Sequence, residues 1–126
     1  MIALKIYESA ENYLETILLL QKQNNFVRAV DIANELGFSK PSVSVAMKNL
    51  REKNLILIST DGNISLTQSG LEIAQKVFER HTVISNWLIS LGVDQSTAVE
   101  DACRIEHVIS EESFNALKSH TSKTHN

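Results

Sequence analysis

The segment Cys103-Arg104-Ile105-Glu106-His107 holds the chain's only cysteine, with a carboxylate three residues later and an imidazole four residues later. On a helix, positions i, i+3 and i+4 share one face, with Cβ atoms roughly 5–6 Å apart. Thiolate, carboxylate and imidazole together suit divalent Fe, Mn, Co, Ni or Zn, and poorly suit Ca or Mg. Each residue also has an ordinary reading. A lone cysteine serves as a small buried hydrophobe, and a lone histidine as a hydrogen-bonded or surface group. Further residues favour the metal: Asn12 and Glu15 on the polar side of a first helix, and His81 in the middle of a long one. A catalytic Cys103/His107 pair is disfavoured, because the two lie one turn apart on a packed helix with no Gly-rich oxyanion loop. The chain therefore reads as a non-enzyme. A metal-binding thiolate is also oxidisable, so redox sensing at Cys103 is a variant of the metal reading.

The elements that must position these residues follow from periodicity. Residues 8–22 place Tyr13, Leu14, Ile17, Leu18 and Leu20 at near-helical spacing, with Ser9 as the expected N-cap. Residues 30–36 form a short helix closed by Gly37. A third helix follows, with Ser39 as N-cap, Pro41 in the first turn and an apolar stripe of Val43, Met47 and Leu50. After Asn54 the period becomes strand-like, and Asp61-Gly62 between LILIS and ISLT signals a hairpin. Thr67 or Ser69 opens a long helix that closes at Gly92. Asp94 caps a helix carrying Ala98, Ala102, Ile105 and Val108, and Ser110 starts a last short helix, SEESFNALKS. The closing SHTSKTHN is polar and aperiodic, and reads as a frayed tail containing His120 and His125.

Helix, short helix, turn, helix and tight hairpin, in that order, make a winged helix-turn-helix. The fold class is mainly α: a winged helix-turn-helix DNA-binding domain over residues 1–70, then a helical domain over 71–126. In such a pair the second helix enters the major groove by its N-terminal residues. The groove-facing candidates are Ser39, Lys40, Pro41, Ser42, Ser44, Val45 and Lys48, with Arg51 adding charge. Ser39 and Ser42 suit phosphate at a helix N-terminus. Pro41 and Val45 can pack on thymine methyls but make no bidentate base contact, so shape and paired half-sites carry part of the specificity.

Composition narrows the class. A net charge of −3 and a pI of about 5.8 exclude a protein that coats nucleic acid indiscriminately, but not one with a local basic face. Lys40, Lys48, Arg51 and Lys53 stand against Glu52 alone, whereas residues 94–112 carry six acidic groups against Arg104. No run is long enough to span a membrane, no signal-peptide pattern opens the chain, and one cysteine builds no disulfide framework. A cytoplasmic protein is expected.

The chain resembles the metal-dependent repressors of the diphtheria toxin repressor and manganese transport regulator family. The resemblance covers nearly all of residues 8–118 and is carried by ENYLETI, DIANELGFSKPSVSVAMKNL, LTQSGLEIA, RHTVISNWLISLGVD and, above all, EDACRIEHVIS. It implies a homodimer that binds operator DNA when loaded with metal. By position it implies ligands at Asn12, His81, Cys103, Glu106 and His107, and at Glu15 as in the manganese branch. The resemblance is mixed: Asn12 stands where the iron branch has Met and the manganese branch Asp, and Cys103 follows the iron branch. Ser85 and Val99 occupy two second-site ligand positions of the iron branch, and the short architecture of the manganese branch, without an SH3-like domain, is the expected one. One ion is then expected on Asn12, Cys103, Glu106 and His107, and a second on Glu15 and His81. Fe(II) or Mn(II) is the expected signal, with Co(II), Ni(II) or Zn(II) as alternatives in vitro. The rival is a metal-independent winged-helix transcription factor whose C-terminal helices serve only as a dimer interface.

Overall fold

The computed structural model describes residues 2–124, with side chains for residues 10–121. Contact density divides the chain into two compact units, Met1–Gln75 and Lys76–Asn126.

The first unit holds α1 (Ile2–Gln23), α2 (Ala29–Leu36), α3 (Lys40–Glu52), β1 (Ile56–Ile58), β2 (Ile64–Leu66) and the start of α4 (Gln68–Ser90). Helix α1 begins well before residue 8, so Ser9 lies inside it and is not its N-cap. Helix α2 ends where Gly37 turns left-handed at φ 72°, its N–H bonded to the carbonyl of Ala33. That conformation carries little penalty only for glycine. Ser39 caps α3: the backbone N–H of Ser42 donates to its Oγ at 3.3 Å, and Pro41 falls in the first turn. Val43, Met47 and Leu50 recur at helical spacing and are buried, so this stripe fixes which face of α3 stays outside.

The hairpin pairs Ile56 with Leu66 and Ile58 with Ile64 in antiparallel register. Ile56 and Ile64 point inward and Leu57 outward. Two strands alone are marginal in water, and the chain before α2 supports them. The N–H of Ile64 donates to the carbonyl of Val27 at 2.8 Å, and the N–H of Val27 donates to Asn63 Oδ1 at 3.0 Å. Thr67 caps α4 by accepting the N–H of Gly70 at 3.1 Å. Gly70 has no substitute here, since a Cβ would stand 2.0 Å from the carbonyl oxygen of Leu55.

The second unit holds the rest of α4, α5 (Gln95–Ile105) and α6 (Glu111–Thr124). Asp94 caps α5 by accepting the N–H of Ser96 at 3.2 Å, and Ser110 caps α6 by accepting that of Ser113 at 3.1 Å. Ile84, Ala102 and Phe114, one from each helix, form the core, with Val83, Leu88, Ile105, Ile109 and Leu117 around it. Two expectations differ. Helix α5 stops at Ile105, leaving Val108 in an exposed turn. Helix α6 runs on to Thr124, so most of the expected tail, including exposed His120, is helical; His125 lies outside the described residues.

Candidate metal centre

Glu106 is the C-cap of α5 and keeps right-handed helical angles, φ −58° and ψ −25°. The helical spacing from Cys103 therefore persists through the residue where the helix formally ends. It brings Cys103 and Glu106 to α4, where His81 waits. One ligand atom each from His81, Cys103 and Glu106 lies within 4.8 Å of the others, the one such His/Cys/Asp/Glu group among the described residues. His81 Nδ1 is 3.1 Å from Glu106 Oε2 and 3.7 Å from Cys103 Sγ.

His107 is brought to the other carboxylate oxygen, with Nε2 3.4 Å from Glu106 Oε1. Glu106 is thus the hub, between two imidazoles. It is 1% exposed, and its Oε1 is buried with no hydrogen bond among the described residues. A buried, incompletely satisfied carboxylate oxygen is costly and is what a cation would relieve. Cys103 is exposed and borders a shallow open depression with Asp94, Ser96, Val99 and Glu100, so the centre is reachable from solvent. With thiol, imidazole and carboxylate this close, small side-chain shifts suffice for bonds of about 2.0–2.3 Å to one transition-metal ion. The residues fit such an ion.

The pKa of His81 is pushed up from 6.5 to about 10, first by its hydrogen bond to Cys103 and then by that to Glu106, against the opposing effect of burial. A cation at this point is what the surrounding groups favour.

The spacing of CRIEH indicated Cys103, Glu106 and His107; the structure groups the first two with His81. Asn12 and Glu15 belong to α1 of the first unit, both half-buried. Arg80 escaped sequence reasoning: its Nη1 donates to the carbonyls of Glu106 at 3.2 Å and Ile109 at 3.1 Å. Nothing in local spacing links residue 80 to 106.

On the first unit, Ser39, Lys40, Pro41, Ser42, Ser44, Val45, Lys48 and Arg51 are all exposed on α3, opposite Val43, Met47 and Leu50. Val45 is 61% exposed, unusual for valine on a helix with a buried face available.

Comparison with known proteins also divides the chain in two, between residues 62 and 67. Residues 5–62 match the family model for the iron dependent repressor N-terminal DNA binding domain, and residues 67–125 match that for its metal binding and dimerisation domain. The transcriptional regulator MntR of Escherichia coli O157:H7 is 36% identical over 116 residues, covering 92% of this chain and 75% of that protein. The chain belongs to the iron-dependent repressor family. Another member, the diphtheria toxin repressor of Corynebacterium diphtheriae, is 29% identical over 108 residues, 85% of this chain and 48% of that protein. A solved manganese-dependent transcriptional repressor in complex with manganese superposes with a TM-score of 0.81 at 25% identity, covering 88% of this chain and 51% of that one. This iron-dependent repressor chain spans about half the length of these two longer relatives. No described helix is long and apolar enough to cross a membrane.

Proposed function

We propose that the chain is a cytoplasmic, homodimeric repressor that binds operator DNA when His81, Cys103 and Glu106 hold a divalent transition-metal ion. The observation that carries this is the convergence of three metal-binding side chains, one of them a buried carboxylate whose Oε1 makes no hydrogen bond among the described residues. A bound ion supplies positive charge and a cross-link between α4 and the end of α5. Glu106 supplies the negative charge that neutralises it, His81 gives up its proton to offer a lone pair, and Cys103 offers the softest donor. Fe(II) and Mn(II) are the proposed signals, in line with the relatives' names. The thiolate adds affinity for Fe(II), Co(II), Ni(II) and Zn(II) relative to Mn(II).

DNA contact is assigned to Ser39, Lys40, Pro41, Ser42, Ser44, Val45, Lys48 and Arg51 on the outer side of α3. Dimerisation is assigned to the second unit, where Ile89, Leu91, Val99 and Val108 are exposed. A two-fold dimer would present two such helices to successive major grooves, about 34–36 Å apart. Coupling of ~1–3 kcal/mol between ion and DNA corresponds to about 5–150-fold in operator affinity. Asn12 and Glu15 are proposed as further ligands on the resemblance alone.

The test is fluorescence anisotropy of labelled promoter DNA at fixed salt, with and without metal, using the wild type and Cys103→Ala. Metal should tighten wild-type binding and leave Cys103→Ala near its metal-free affinity. Equal, metal-insensitive binding by both would favour a plain winged-helix dimer.

A further inference from the structure

Two consecutive residues of α4 hold the same residue of the metal centre. His81 reaches the Glu106 carboxylate, and Arg80 reaches the Glu106 backbone carbonyl and, with the same nitrogen, that of Ile109. We propose that Arg80 is a positioning residue for the metal centre. It fixes the turn from Glu106 to Ile109 against α4, so that the Glu106 carboxylate and the His107 imidazole keep their placement when an ion enters. This rests on reading His81, Cys103 and Glu106 as ligands.

Helix α5 ends at Ile105, so the carbonyl of Glu106 lies at the negative end of its dipole, and the carbonyl of Ile109 falls in the turn before α6. A permanently charged guanidinium meets that need. The two bonded carbonyls bracket His107, which fixes its backbone as well. Arg80 is itself held: its Cζ lies 5.5 Å over the ring of Phe114, and Phe114 is 3% exposed within the core of Ile84 and Ala102. Its Nε is buried with no hydrogen bond among the described residues, a cost that the carbonyl contacts and the ring offset.

The charge of Arg80 gives the inference a sign. A cation close to a metal centre repels an incoming ion. Were Arg80 acting by charge alone, neutralising it would tighten metal binding. Positioning demands the reverse.

The experiment titrates the full chain with Co(II), without oxygen, comparing the wild type, Arg80→Met and Arg80→Lys. It reads affinity, the thiolate-to-cobalt and ligand-field absorption, and thermal melting with and without cobalt. Arg80→Met should lose about 10–100-fold in affinity, the range for residues that orient ligands, with shifted ligand-field bands. Arg80→Lys keeps a donor and the charge but not the planar stacking, and should recover part of the loss. Unchanged or tighter affinity with an unaltered spectrum in Arg80→Met overturns the inference, even if the metal-free variant melts lower. If Arg80→Met does not fold, wild-type affinity and spectrum in Arg80→Lys overturn it instead. A wild type that binds no cobalt overturns the metal reading, and this inference with it.

Discussion

Helices α2 and α3 and the hairpin bury apolar side chains: Ile32, Ala33, Val43, Met47, Leu50, Ile56 and Ile64. The helical unit buries Ile84, Ala98, Ala102 and Phe114 but adds Glu106 and His107, at 1% and 8% exposure. Burying a charged group is costly unless it is paired and hydrogen-bonded. The first region is built to hold a shape. The second accepts an electrostatic cost, offset by His81 and Arg80, to keep a carboxylate ready inside. The difference teaches that stability and response are separable in this chain, and substitutions should separate them.

The largest effects should come from one substitution in each region. Glu106→Gln should weaken metal binding by more than about 100-fold, beyond the usual range for residues that only orient ligands. Its metal-free stability should fall by only about 1–2 kcal/mol, because the amide can still bond His81. Ile32→Ala, at a fully buried position, should cost about 2–5 kcal/mol and leave cobalt affinity of the folded protein at its wild-type value. Denaturant unfolding and calorimetry on the two variants check both. Equal metal loss in both would break the comparison.

Smaller effects sharpen it. Lys48→Ala, on the exposed side of α3, should lower the slope of log affinity against log salt by about 1 without changing metal affinity. Calorimetry in buffers of different ionisation enthalpy should show at least one proton released per ion bound near neutral pH, from His81, which is protonated until about pH 10, and from the Cys103 thiol as it becomes a thiolate ligand. The sign follows from that raised pKa. In the metal-free protein the His81 interaction is fully present below pH 6.5 and is lost as pH rises through about 10. Metal affinity runs the other way and climbs over the same range. Proton-free binding would contradict it.

The first region was largely legible in the sequence. Gly37, the Ser39 cap, Asp61-Gly62 and the Val43/Met47/Leu50 stripe each act within a few residues, and each stands where periodicity put it. The limits of α1 and α6 were not: Ser9 has the residue type of an N-cap but lies inside α1, which opens on the apolar IALKIY, and the last turns of α6, HTSKT, carry no apolar residue. The metal centre was half legible. Cys103 and Glu106 are one turn apart, and that spacing is local. His81 and Arg80 meet them only by helix packing across more than twenty residues of chain, which no short-range pattern records. Spacing indicated His107 as a partner of Cys103 on the same helical face; packing turned it to the other oxygen of Glu106.

The most direct test of the central claim is the absorption spectrum of the Co(II)-loaded protein, wild type against His81→Ala and Cys103→Ser. The account predicts one cobalt ion showing a thiolate-to-cobalt band, with the band lost in Cys103→Ser and the ion bound far more weakly in His81→Ala. Cobalt bound at wild-type strength, with an unchanged spectrum, in either variant would contradict a centre shared by His81, Cys103 and Glu106.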